Sequence, residues 1–220
     1  TSLLTRLAGP PERLRTNPDH PANCYDKDGE YPSVVPGDVA GGQVATEALL
    51  RAGHRRIAHI GGESWIEASR DRIQGYRQAL ANWDIPVDPD LLRPGGWTIP
   101  SGRTTTRDLL DMPNPPTAIF CFNDRMAMGA YEAVRERGLR IPQDISIVGF
   151  DDDELASYLD PPLTTIILPH DAMARWAVDQ LLEKGEGILA KRKWRKHKME
   201  CMLVERSSIA APVGEVASFD

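Results

Sequence analysis

Apolar positions along this chain alternate between two spacings, one near 3.6 residues and one of short continuous runs, and the alternation predicts helices interleaved with buried strands. Val44, Ala45, Ala48 and Leu49 form a helical stripe that begins from Gly41 and stops at Gly53, and Ile57, Ala58, His59 and Ile60 then make a short strand closed by Gly61 and Gly62. Ile73, Tyr76, Leu80 and Trp83 mark a helix over about 69–82. Leu91, Leu92 and Arg93 form a strand before Gly95 and Gly96, and Ser101 offers an N-cap for a helix through Leu110. Residues 118–122 are nearly all apolar, as in a parallel strand covered on both faces. Asn123 and Asp124 offer the cap of a helix carrying Met126, Ala127, Ala130, Tyr131 and Val134, which Gly138 ends. A strand over 145–150, a helix marked by Met173, Ala177 and Leu181, and a final strand over 200–205 complete the series. Strand and helix in repeated alternation imply a layered α/β architecture.

The flanks break this rhythm. Pro10, Pro11, Pro18, Pro21, Pro32 and Pro36 interrupt every long element over residues 1–36, leaving only a short helical stretch around Leu3 to Leu7. Residues 185–200 are irregular and strongly basic over 191–198, which reads as a solvated loop rather than a recognition helix.

Composition narrows the classes open to such a chain. With 220 residues, 41% of them apolar and 26% charged, it has the make-up of an ordinary globular protein. A formal charge of -6 and a pI near 5.4 supply no global attraction for a polyanion. Cys24, Cys121 and Cys201 have no C-x-x-C spacing, so neither a disulfide framework nor a zinc site is expected, and a reducing compartment fits. No apolar run approaches the roughly 20 residues of a membrane span. The chain begins at Thr1 without a methionine or a secretory signal, as a fragment of a longer protein would.

Candidate chemistry gathers where strands end. Three carboxylates, Asp151, Asp152 and Asp153, follow Gly149 and Phe150, and open α/β sheets bind ligands beyond strand ends of this kind; a solvated turn is the competing reading. Asn123 and Asp124 follow a buried strand in the same way and read equally well as helix caps. Arg70 and Arg72 stand early in a helix, where positive charge opposes the dipole and requires an offset from a carboxylate, a ligand or solvent. A guanidinium at Arg72 facing Asp151 would suit a polyhydroxylated ligand. Trp97 and Trp65 follow glycine pairs and read as aromatic walls on loops, whereas Trp83 and Trp176 fall on helix stripes and read as core. The glycine pairs at 41–42, 61–62 and 95–96 lack the dinucleotide-binding spacing, and the scattered histidines have neither metal spacing nor a serine elbow. His54 reads as packing at a helix–strand junction. No cofactor, metal or catalytic residue is expected, and a glycosidase using Asp151 and Asp152 would need opposed rather than adjacent carboxylates.

These residues together resemble the effector-binding domain of the LacI/GalR family of bacterial transcription repressors. The resemblance runs over residues 33–208: Gly53 to Ala58, Arg72-x-x-Gly75-Tyr76, Pro116 to Ala130, Gly138 to Asp152, Pro162 to Ile166 and Val204 to Ser208, in that order. It implies two three-layer Rossmann-like subdomains of periplasmic binding protein type I with a ligand between them. On this chain the first would take residues 1–52 and 163–190, truncated at its N-terminus, and the second 53–162 and 191–220. It also implies that Arg72, Asn123 and Asp151 bind a small polar effector such as a sugar, that Trp97 lines the pocket, and that Trp65 and Arg70 lie in a more variable pocket-lining loop. An aspartate expected before Gly41 and Gly42 appears displaced, with Pro36 near its position and Asp38 two residues on. The implied partners are a second copy in a homodimer and operator DNA, the latter through a helix-turn-helix absent from this chain, in the cytoplasm and without a membrane. A periplasmic sugar-binding protein of a transport system is the alternative.

Overall fold

Successive buried residues of its strands face opposite sides and give the central sheet two apolar faces. The structure, a computed structural model, describes residues 33–183 and 196–213. Contacts divide the chain into two units, one holding Pro36–Arg175 and Lys198 onward, the other holding, among described residues, Ser33 to Val35, Trp176 to Glu183, Lys196 and His197. The helix before residue 52 packs with the sheet that follows it.

The larger unit carries, in chain order, the end of β1 (Val34–Pro36), α1 (Asp38–Arg51), β2 (Ile57–Ile60), α2 (Glu67–Asn82), β3 (Leu92–Arg93), α3 (Ile99–Leu110), β4 (Ala118–Cys121), α4 (Asp124–Glu136), β5 (Ser146–Val148) and β6 (Thr165–Ile166). The start of α5 (His170–Glu183), the end of β7 (His197–Met199) and β8 (Leu203–Val204) follow. Four strands form a parallel sheet in the order β3-β2-β4-β5, with Ile57 opposite Ala118 and Ala118 opposite Ser146. Ile57, Ala118, Phe120 and Val148 point to one face, against Ala45 and Leu49 of α1 and Tyr76 and Leu80 of α2. Ala58, Ile60, Ile119, Cys121 and Ile147 point to the other, against Leu109 of α3 and Met126, Ala130 and Val134 of α4. The period of two thus places α1 and α2 on one side and α3 and α4 on the other, the three-layer arrangement expected.

The chain leaves β2 toward β3 on one side and returns to β4 on the other. That reversal opens a crevice at the carboxyl ends of β2 and β4, where doubly wound sheets hold ligands. Beyond β5 the sheet continues through residues 164–168: Gly149 N–H donates to the Thr164 carbonyl at 3.0 Å and Asp151 N–H to the Ile166 carbonyl at 2.8 Å. β6 pairs antiparallel with β8.

Two glycines set how closely α1 and α2 approach. A methyl at Gly75 would sit 2.1 Å from the Val39 carbonyl oxygen, and one at Gly42 would sit 2.4 Å from that of Arg72. Only glycine allows this approach, and it brings the first turn of α1 beside Arg72.

Several expectations need correction. α1 starts at Asp38 rather than Gly41, and α3 at Ile99 rather than after Ser101. Thr98 is the cap of α3, its Oγ1 accepting from Ser101 N–H, because Pro100 in the first turn lacks only an amide that needs no partner there. The strand foreseen over 200–205 is confined to Leu203–Val204. Trp83 is no core filler: it is 37% exposed just past α2, with the Arg55 guanidinium 5.1 Å from its ring centroid. Trp176 is half-buried and stacks on His197 at 5.1 Å. His54 is structural as expected, with Nδ1 2.9 Å from Thr117 Oγ1 and Nε2 2.8 Å from the Ala210 carbonyl. The short helix near Leu3 to Leu7 and residues 191–195 of the basic run lie outside the described residues.

Candidate functional site

Arg72 is the centre of the crevice. It lies in the second turn of α2 and is only 4% exposed, a degree of burial a guanidinium sustains only with partners on every side. Its Nε donates to Asp38 Oδ1 at 2.8 Å and its Nη1 to the Phe122 carbonyl at 2.5 Å. The Phe150 ring centroid lies 3.5 Å from Cζ and that of Phe122 4.5 Å, so aromatic faces at the tips of β5 and β4 hold the cation. The offset that a cation early in a helix requires is therefore a carboxylate.

Asp151 faces the same guanidinium, with Oδ1 3.6 Å from Nη1, an ion pair too long for a hydrogen bond. Its backbone has φ 113°, a conformation rare for any residue with a Cβ, and Asp152 follows at φ 54°. Such strain collects at ligand clamps. The backbone bonds to Ile166 and Leu168 hold it in this instance. Burial raises the Asp151 carboxyl to about 6, the neighbouring Asp38 charge adding to the rise and Arg72 opposing both. Asp152 and Asp153 are occupied elsewhere: Asp152 Oδ1 pairs with Arg206 at 2.7 Å, and Asp153 caps the turn Glu154–Ser157.

Asn123 is 2% exposed at the mouth of β4. Its Oδ1 accepts from Met126 N–H at 2.8 Å, capping α4, while its Nδ2 donates to the Trp97 carbonyl at a long 3.5 Å. The cap and site readings thus coincide in one side chain, with the amide nitrogen only loosely engaged. Trp97, 43% exposed, meets Phe122 edge-on at 4.8 Å and forms a wall beside it. Asp124 turns the other way. It accepts from Thr165 Oγ1 at 2.6 Å and from Asp153 N–H at 2.8 Å, and burial raises its carboxyl to about 7.

Four expected residues therefore converge: Arg72 and Asp151 by direct approach, Asn123 and Trp97 through Phe122. Trp65 and Arg70 stand apart from this group, Arg70 Nη1 donating to the Ser64 and Trp65 carbonyls at 3.3 Å. Asp38, Phe122 and Phe150 belong to the site although sequence reasoning did not assign them to it. Asp38 carried a readable signal, a carboxylate in the first turn of a helix whose next turn is Gly41 and Gly42. A buried cation with an exposed aromatic edge and a strained carboxylate can bind a ligand rich in hydroxyls. Each hydroxyl can donate to the carboxylate and accept from a nitrogen.

Known proteins resemble this chain over most of its length. The family described as periplasmic binding protein-like domain matches residues 46–209. The ribose operon repressor of Haemophilus influenzae is 41% identical over 151 residues, 69% of this chain and 46% of that protein. The HTH-type transcriptional repressor CytR of Escherichia coli strain K12 is 38% identical over 190 residues, 86% of this chain and 55% of its own. A LacI family transcriptional regulator from Enterococcus faecium, solved with bound ribose, superposes with a TM-score of 0.76 at 31% identity, covering 84% of this chain and 68% of that one. The chain spans about half the length of these curated relatives. It belongs to the periplasmic-binding-protein-like domain family, in the form found in the effector-binding domains of LacI-type repressors.

Proposed function

We propose that this chain is the ligand-sensing domain of a LacI-type transcriptional repressor and that its effector is a sugar or a similar small polar molecule. The observation that carries the reading is the Arg72–Asp151 pair, a cation buried between Phe122 and Phe150 with a strained carboxylate 3.6 Å away. In this reading Arg72, Asn123 and Asp151 exchange hydrogen bonds with effector hydroxyls while Trp97 packs on an apolar ring face. Trp65, on the neighbouring loop, and Arg70, in the first turn of α2, contact only the outer part of the ligand. No bond is made or broken. The effector selects one arrangement of the domain, and that preference is transmitted through a homodimer to the affinity for operator DNA. DNA is contacted by a helix-turn-helix of the kind for which the relatives are named, and the protein works in the cytoplasm. In this reading residues 1–52 and 163–190 belong to a first subdomain and 53–162 and 191–220 to a second. Repressor relatives favour it over a transport protein of the same fold.

Calorimetric titration against pentoses, hexoses, disaccharides and purines identifies the effector. Asp151→Ala is expected to lower affinity for the effector so found by about a hundredfold or more, since it leaves the effector hydroxyls without their acceptor. Far-ultraviolet circular dichroism is expected to stay unchanged. Wild-type affinity in that variant excludes this site as the effector pocket.

A further inference from the structure

Beside Phe122 the crevice meets a cavity of about 200 Å³ between α2 and β3. A methyl added to Gly62, on the cavity wall, would sit 2.5 Å from Ser69 Oγ and 3.0 Å from the edge of the Phe122 ring. The Ser69 hydroxyl and the ring that stacks on Arg72 thus flank one glycine, and the cavity adjoins the strand-tip pocket there. Two buried side chains that line it have an atom without a hydrogen-bond partner: His59, 1% exposed, at Nε2, and Ser69, 6% exposed, at Oγ. Buried polar atoms are satisfied in the great majority of cases, so two orphans around one cavity call for an occupant.

The chemistry of that occupant follows from the walls. His59 Nδ1 lies 3.2 Å from the Phe120 carbonyl, which can only accept, so Nδ1 carries the hydrogen. Burial lowers the imidazole to about 4, so at neutral pH Nε2 is a bare lone pair that requires a donor. Ser69 Oγ can donate or accept. Ile73, Leu92 and Pro94 supply apolar surface around these two atoms. Charge is directed elsewhere: Arg93 sends its guanidinium to Met112 Sδ on the other face of the sheet, and Arg70 bonds to the Ser64 and Trp65 carbonyls of the loop. The occupant is therefore neutral, mainly apolar and equipped with a donor. A dry cavity of about 150 Å³ admits one benzene ring, so the space suits a ring rather than a single hydroxymethyl group.

We propose that this cavity is a subsite of the effector pocket and that the effector has two parts, a hydroxylated ring and a flat, uncharged second ring bearing one N–H or O–H donor. The first part lies against Arg72 and Asp151, which rests on the effector reading above. The second passes Ser69 beside Phe122 and donates to His59 Nε2. Effectors of this class are glycosides with a ring as the second component, in preference to free monosaccharides.

Phenol, a ring with one O–H donor, probes the subsite without any sugar, with anisole, which lacks the donor, as the control. Calorimetry and the imidazole nitrogen resonances of His59 report on binding. Phenol is expected to bind in the millimolar range, at least about tenfold better than anisole, and to shift the Nε2 resonance. His59→Phe, which keeps a ring between Tyr76 and Phe120, should bring phenol down to the level of anisole. Ser69→Ala, expected to weaken phenol about threefold, is the substitute if His59→Phe melts early. The 4-hydroxyphenyl and methyl β-glycosides of ribose, glucose and galactose then test the link to the strand tips. At least one hydroxyphenyl glycoside should bind about tenfold or more tighter than its methyl counterpart, an advantage lost in His59→Phe. The proposal is overturned if phenol fails to bind, if His59→Phe and Ser69→Ala bind it as the wild type does, in which case water alone occupies the cavity, or if no hydroxyphenyl glycoside exceeds its methyl partner. If Asp151→Ala spares the hydroxyphenyl glycoside while His59→Phe weakens it, the ring site stands and the strand-tip assignment falls.

Discussion

The tips of β4 and β5 begin alike and end differently. Each strand closes on a buried phenylalanine, Phe122 or Phe150, that stacks on Arg72, and each then presents two polar residues, Asn123 and Asp124 or Asp151 and Asp152. After β4 the chain enters α4 at once, so helix geometry claims both side chains: Asn123 caps, and Asp124 turns inward to Thr165. After β5 no α-helix follows at once. The chain takes two positive-φ residues, and Asp151 is left facing the guanidinium rather than the backbone. Whether a strand-end carboxylate turns into the structure or faces the crevice is thus decided by the element that comes next. Residue type does not decide it.

Arg72 ties the two tips together, so removing it tests the comparison hardest. Arg72→Ala leaves Asp38 buried without its cation, and breaking a buried pair from one side costs about 3–5 kcal/mol. Chemical denaturation is expected to report a loss of that order. Asp38→Leu combined with Arg72→Met should recover most of the stability while still failing to bind effector. A stable Arg72→Ala would mean that the tips hold each other without it.

The next effect separates the tips by pH. Burial raises Asp124 to about 7, whereas an exposed aspartate sits near 3.8. Between those values the folded protein holds a proton that the unfolded chain has released. The stability that proton confers is complete below about pH 4 and is lost as pH rises through about 7. The slope is at most about 1.4 kcal/mol for each pH unit per group. Asp151, raised to about 6, adds a shallower contribution of the same sign. In Asp124→Asn the decline should shrink to the part that ends near pH 6, as melting temperatures measured from pH 4 to 8 would reveal. An unchanged profile would show that Asp124 is ionised throughout.

Much of this was legible from residue pattern, and the failures share a cause. Strands 57–60 and 118–121 and the Asn123 cap follow from continuous apolar runs and from a polar residue at the junction, both local properties. The resemblance to LacI-type domains pointed to Arg72 and Asp151, and the structure brings them together. Asp38 could not be paired with Arg72 from spacing, because the contact depends on two helices meeting at Gly42 and Gly75, 33 residues apart. Phe122 and Phe150 read as core because a strand-end aromatic has one face in the core and one in the crevice, and periodicity does not distinguish the two. Trp83 continues the apolar stripe of α2 but lies one residue past Asn82, where the turn swings it under Arg55.

The β4 tip alone is probed by Asn123→Ala. Losing an N-cap costs about 1 kcal/mol, and the tether to the Trp97 carbonyl goes with it. Effector affinity is expected to fall together with a small drop in melting temperature. Asn123→Ser should restore the temperature, since serine caps well, without restoring affinity. If serine restores both, Asn123 is a cap and nothing more.

The smallest effect belongs to the β5 tip and has the opposite sign. Asp151 at φ 113° carries strain of about 1–3 kcal/mol that glycine would relieve, against about 0.5–1 kcal/mol of added unfolded-chain entropy. Asp151→Gly should therefore stabilise the domain by about 1 kcal/mol in a urea melt while eliminating effector binding. The same replacement at Asp124, in a helical position with its carboxylate bonded to Thr165 and Asp153, should destabilise it. Opposite signs from one substitution at an aspartate of each tip would mean that the β5 turn gives up stability to aim a carboxylate at Arg72. Equal losses would mean that the positive φ is held by contacts glycine cannot replace, and that the two tips differ less than their geometry suggests.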